Sequence, residues 1–158
     1  DIVSKNGNLL LNIPLRGDGT IDDDERRILA DLAGWMPANG EAIYGTRPFT
    51  VFGEGPPDLK GSGNFNENTA RPYTAEDIRF TTQGSTLYAF ALGWPADGKL
   101  TIKTLAQGSA HYPRKVGRVE LLGGDNRPIP FTRDATGLTV SLPGRPNDLV
   151  ATLKITAA

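Results

Sequence analysis

Leu87-Tyr88-Ala89-Phe90-Ala91-Leu92 offers a single polar atom along its side chains, the Tyr88 hydroxyl. Side chains alternate across a strand, so this stretch would be apolar on both faces. A strand of that kind belongs in the middle of a sheet covered on both sides. The residues around it read as further strands. Ile78, Phe80 and Thr82 alternate with Arg79 and Thr81 upstream. Downstream, Pro95-Ala96-Asp97-Gly98 is a turn, after which Leu100 and Ile102 alternate. Val119 and Leu121 precede the turn Gly123-Gly124-Asp125-Asn126, Phe131 marks a short strand, and Leu138, Val140 and Leu142 alternate cleanly. Pro143-Gly144-Arg145-Pro146 turns the chain, and Leu149, Ala151, Leu153 and Ile155 end it as a strand. Short strands at roughly ten-residue spacing, separated by Gly/Pro turns, predict an antiparallel β-sandwich.

The first forty residues follow another period. Asn8–Ile13 (Asn-Leu-Leu-Leu-Asn-Ile) is a short apolar run, expected as a strand buried on both faces. Asp22 with Glu25 three residues later suits a capping box, and Asp23 and Asp24 place negative charge at a helix N-terminus. Ile28, Leu32 and Trp35 or Met36 form an apolar stripe. Pro37 weakens the last turn and Gly40 is the expected stop. Strand, loop and helix make one β/α unit, which by itself leaves the strand's faces uncovered. The expected division is therefore 1–40 as part of something larger and 41–158 as the sandwich. Gly53 to Thr74, rich in Gly and Pro, reads as one long loop.

Composition excludes several classes. The chain has 158 residues, 17 Lys+Arg against 18 Asp+Glu, and a formal net charge of -1. It lacks the basic surplus expected of a nucleic-acid-binding face. There is no cysteine, so disulfides and thiolate metal sites cannot form. No apolar run approaches the ~20 residues that span a bilayer. With 19 Gly and 12 Pro, about a fifth of the chain favours turns. The opening Asp1-Ile2-Val3 has no initiator Met and reads as a cut.

The candidates for chemistry are sparse. His111 is the one histidine, so a multi-histidine metal site is ruled out, and a loop position is its expected role. Counting from Asp18, the Asp18–Glu25 acids fail the calcium-loop spacing at positions 6 and 12, and helix capping accounts for them. No phosphate-binding glycine loop occurs. Glu41, Glu54 and Glu67 are loop carboxylates with expected solvated or turn-stabilising roles. Trp94 sits at a strand end, where it could either close the core or stack on a sugar. Tyr44, Phe49 and Phe52 are expected at the junction of the two parts.

A set of stretches resembles one enzyme family in order. Val3-Ser4-Lys5-Asn6-Gly7-Asn8-Leu9-Leu10-Leu11-Asn12-Ile13 is similar to the last barrel strand of bacterial-type retaining α-L-fucosidases, glycoside hydrolase family twenty-nine. Gly17–Ile21 resembles the lead into that barrel's last helix, and Asn39–Pro48 resembles the exit from it. Asp77–Thr82, Leu87–Ala89 and Gly93-Trp94-Pro95 resemble two strands of the family's C-terminal sandwich. Pro14-Leu15 departs from the usual Gly-Pro pair, and Pro37 is a second departure. The resemblance covers most of residues 2–103.

The resemblance implies an eight-fold β/α barrel followed by a β-sandwich, and removal of α-L-fucose in two steps through a covalent glycosyl-enzyme. The expected fold class is then mainly β: an antiparallel sandwich preceded by one β/α unit of a truncated barrel. The family's nucleophile, acid/base and fucose-holding residues lie upstream of the last barrel strand, so none maps here and the piece alone should be inactive. Asn12 is the one residue expected near the pocket, since such barrels carry their active sites at strand C-termini. Implied partners are the missing barrel of the same chain and, for the parent, fucosylated glycans. No cofactor, nucleic acid or membrane span is implied, and the parent would be periplasmic or secreted. Two other roles are a carbohydrate-binding module using Trp94 and Tyr112 as stacking faces, and an interaction module that dimerises through apolar surface a missing barrel leaves bare.

Overall fold

The computed structural model describes residues 1–56, 71–125 and 127–158. Among the described residues one α-helix, α1 (Asp23–Asn39), runs through a 3₁₀ turn at Gly40–Ala42 into eight strands. These are β1 (Arg47–Glu54), β2 (Ile78–Gln83), β3 (Thr86–Ala91), β4 (Lys99–Ile102), β5 (Val116–Leu121), β6 (Phe131–Asp134), β7 (Gly137–Ser141) and β8 (Ala151–Ala157). They pair antiparallel throughout, into a five-stranded sheet of order β1-β2-β3-β8-β5 and a three-stranded sheet of order β4-β7-β6.

The two sheets close on one core. Ile78 and Phe80 of β2, Leu87, Ala89 and Ala91 of β3, and Leu153 and Ile155 of β8 meet Leu100, Ile102, Leu138 and Val140 of the small sheet. Volumes interdigitate along the register: Phe80 faces Ala89, and Ala89 in turn faces Leu153. Phe49 of β1 closes one edge, its ring edge-on to Phe80 at 5.7 Å.

The opposite face of the large sheet is covered by the end of α1. Trp35 and Ile43 pack with Ala42 onto Tyr88 and Phe90. Thr81 Oγ1 donates to the Ala42 carbonyl at 2.7 Å, a buried hydrogen bond that ties the 3₁₀ turn to β2. The Tyr88 hydroxyl donates to Glu41 at 3.3 Å, and Lys154 reaches the same carboxylate at 2.9 Å. Burial, with Glu41 beside it, pushes the Tyr88 phenol up to about 12. β3 is apolar on both sides because both sides are covered.

The predicted strand at Asn8–Ile13 is not present as a strand. Those residues join no ladder, and Leu9, Leu10 and Leu11 are exposed, Leu10 by 84%. A strand buried on both faces needs flanking strands to take up its N–H and C=O groups. None of the described strands lies alongside this segment. The helix begins as expected, with Asp22 accepting from the Glu25 N–H at 2.9 Å. Its stop differs: Gly40 stays right-handed (φ -60) and the helix tightens into the 3₁₀ turn, leaving the left-handed position to Gly45 (φ 69). Of the helix stripe, Trp35 packs inward, while Ile28 and Leu32 are exposed.

β1 is a strand inside what reads as turn-rich sequence. Pro48 is tolerated because β1 is a sheet edge, and the register with β2 slips between Pro48 and Gly53. A Cβ at Gly53 would lie 2.3 Å from the Ile78 carbonyl, so the strands approach this closely only with glycine there. Gly53 and Glu54 thus belong to β1 rather than to the predicted loop, and the greater part of that loop, 57–70, lies outside the described residues.

Truncating Phe80 empties the centre of the sandwich. Phe80→Ala should cost about 3–5 kcal/mol in urea unfolding. Phe52→Ala, at a half-exposed ring, should cost less than about 1 kcal/mol.

Candidate functional site

The residues singled out by sequence do not converge. The Glu54 carboxylate accepts from the N–H groups of Lys103 and Thr104 at 2.8 and 2.5 Å, capping the 3₁₀ turn at Lys103–Leu105. Glu41 is taken up by Tyr88 and Lys154. Glu67 lies outside the described residues. Asp18 accepts from the Thr20 N–H and hydroxyl, which hold its carboxyl below the usual carboxylate range, and Asp22 caps α1. His111 is exposed, with Nδ1 3.3 Å from Thr50 Oγ1. Among the described residues no group of three His, Asp or Glu side chains is placed to hold a metal.

The aromatic candidates divide. Trp94 packs against the main core, with the Arg145 guanidinium 5.7 Å from its ring. Tyr112 is not a stacking face: it is a buried member of that core. The run Ser109–Pro113 looks like surface loop in sequence, but its tyrosine is drawn in because Arg133 binds the adjacent carbonyls. Asn12 is exposed on the unpaired 8–13 segment.

Among the described residues one carboxyl is strongly perturbed, and its surroundings explain it. Asp77 is buried at the start of β2, and Arg71 grips it through both guanidinium nitrogens at 2.7 and 2.5 Å. The Thr74 N–H donates to it at 2.8 Å. The Arg71 hydrogen bonds, opposed by burial and helped by Thr74, hold Asp77 at about 2. Arg71 also donates to the Pro56 carbonyl, and a Cβ at Gly55 would stand 2.7 Å from the Asp77 carboxylate. The pair therefore latches the end of β1 to the start of β2. It is a fastener, with both Asp77 oxygens taken up by Arg71 and Thr74.

The helix side has a different character. A cavity of about 310 Å³ lies under residues 1–9, lined by Ile2, Val3, Trp35, Ile43, Phe90 and Leu92. A wider groove of about 820 Å³ adjoins it, between the 6–9 stretch, Leu32, Met36 and Tyr44. Leu9, Leu10, Leu11, Leu15, Ile28, Leu32 and Tyr44 are all exposed. So many large apolar side chains on one part of a chain mark an interaction face.

The fold defines a β-sandwich domain joined to a helical unit, with an open apolar face on the helix side. The chain belongs to the α-L-fucosidase family: residues 71–156 match the α-L-fucosidase C-terminal domain, and residues 1–41 match the α-L-fucosidase family model. It is 30% identical over 148 residues to human tissue α-L-fucosidase, covering 94% of this chain and 27% of that one. It is 31% identical over 160 residues to the mouse tissue enzyme, covering 98% and 30%. The crystal structure of Thermotoga maritima α-fucosidase superposes with a TM-score of 0.70 at 26% identity, over 98% of this chain and 32% of that one. Isoenzyme 1 from Paenibacillus thiaminolyticus gives 0.66 at 25% identity, over 99% and 32%. The chain thus spans about three tenths of the length of these relatives. Among the described residues no helix is long and apolar enough to cross a membrane.

The depressed Asp77 carboxyl stabilises the fold fully above its ordinary value of 3.8, and that stability is lost as pH falls toward about 2. The loss should approach about 2 kcal/mol. Asp77→Asn should lower stability by a similar amount at pH 7 and flatten the acid limb. Urea unfolding of both proteins between pH 2 and 6 checks this.

Proposed function

We propose that this chain is the C-terminal part of a retaining α-L-fucosidase, in which residues 1–40 complete the catalytic barrel and residues 41–158 brace it from outside. The observation that carries the reading is the apolar face: Leu9, Leu10 and Leu11 lie exposed in a stretch that matches the fucosidase family model. A barrel strand in that position would be paired on both edges and covered on both faces. Trp35, Ile43 and the Thr81–Ala42 hydrogen bond then transmit the support of the sandwich to the last barrel helix.

In the intact enzyme, an upstream aspartate would attack the anomeric carbon of α-L-fucose, and a second carboxylate would protonate the leaving oxygen and later activate water. This chain's contribution is to position. Asn12, near the end of the matched strand, would stand closest to the fucose pocket as a supporting contact. Trp94, tied to the core and to Arg145, would serve the sandwich before any sugar. Fucosylated glycans are the substrates of the parent, and the barrel of the same polypeptide is the partner of the apolar face.

The 158-residue chain alone should not hydrolyse an aryl α-L-fucoside, and turnover at an ordinary glycosidase rate would overturn the reading. Without a barrel, the bare face should also drive self-association. Light scattering should show dimers or larger species, and Leu10→Asp, at the most exposed leucine of the face, should shift the chain toward monomer.

A further inference from the structure

At the turn end of the large sheet, a cleft of about 240 Å³ opens between the β2–β3 turn and the 111–114 segment. It is smaller than a drug-sized site, with room for one sugar ring. Phe49 and the buried Tyr112 close its apolar floor, while Thr50, Ser85 and Thr86 line it with hydroxyl-bearing residues. The far wall is rigid. Arg133 donates to the carbonyls of Leu105, Ala106, Tyr112 and Arg114 at 2.7, 3.1, 2.7 and 2.6 Å, and its guanidinium lies 5.5 Å from the Tyr112 ring.

Among the described residues that line the cleft, the only formal side-chain charge is the positive one of Arg114. Arg133 is spent on carbonyls, and among the described residues neither it nor the cleft-lining Arg114 forms an ion pair with a carboxylate. The side-chain charges that act on the buried Tyr112 hydroxyl are Arg114 and Arg133, both positive. His111, beside Thr50, adds a ring nitrogen at the rim. A planar guanidinium free of a carboxylate, beside hydroxyls that both donate and accept, suits an oxyanion carried on a polyol.

We propose that this cleft binds a monosaccharide unit bearing a sulfate or carboxylate, with Arg114 on the oxyanion and Thr50, Ser85 and Thr86 on the sugar hydroxyls. The choice of a sugar rests on the fucosidase reading above, whereas the demand for an oxyanion rests on the cleft's charge. The site shares no lining residue with the cavity and groove on the helix side.

The test uses the full 158-residue chain, whose one histidine gives a local NMR reporter. Galactose 6-sulfate should shift the His111 ring resonances saturably, at least tenfold more tightly than neutral galactose or inorganic sulfate. Arg114→Ala should weaken that binding at least tenfold and Thr50→Val severalfold, with unchanged Tm. Arg127→Ala, on a turn outside the cleft, should leave it intact. Equal binding of the neutral sugar, equal binding of free sulfate, or indifference to Arg114→Ala would each overturn the proposal. The readout is binding at His111, so its failure leaves the fucosidase reading standing, and failure of hydrolysis by the intact enzyme leaves this one standing.

Discussion

β3 lies third in a five-stranded sheet, and from Leu87 to Ala91 it leaves no face for water. Leu87, Ala89 and Ala91 point into the sandwich, while Tyr88 and Phe90 point toward α1. Each side chain of that size adds roughly 1.5–3 kcal/mol when fully buried. Uncovering either face would forfeit several such contributions at once, so the sheet needs two lids. The small sheet is one and the end of α1 with its 3₁₀ turn is the other. The helical unit is thereby a working part of the sandwich, even though its own sequence matches a different family model from the one that matches the sandwich.

That arrangement makes the helix a hinge of two allegiances. Trp35 and Ile43 face the sheet, while Ile28 and Leu32 face outward with Leu9 to Leu11. An amphipathic helix normally offers one apolar stripe to one core. Here the stripe is shared between a covered end and a bare end. In the proposed role of bracing a barrel, this division would let the same helix be held by the sandwich and still complete the wall of its neighbour.

The polar groups follow the same logic of fastening. Asp77 and Arg71 latch β1 to β2, Glu54 caps a turn, and Glu41 joins the 3₁₀ turn to β3 and β8. A buried ion pair is weak evidence for net stability but expensive to break, since removing one partner strands the other charge. Each of these carboxylates is held by neighbouring donors in a structural role.

Local pattern alone determined seven of the eight strands, the helix and its Asp22 cap, because period-2 alternation, capping spacing and Gly/Pro turns are properties of neighbouring residues. The family likewise followed from short stretches in order. Tertiary structure decided the rest. β1 hides in sequence because its strand character comes from pairing with β2 across a slipped register at Gly53, not from its own alternation. Asn8–Ile13 has the composition of a buried strand and no ladder, since a strand's hydrogen bonds belong to its neighbours. Tyr112 reads as surface loop and lies in the core because Arg133, twenty-one residues away, draws its carbonyl in. Each of these depends on a partner distant along the chain, and no local pattern records a distant partner.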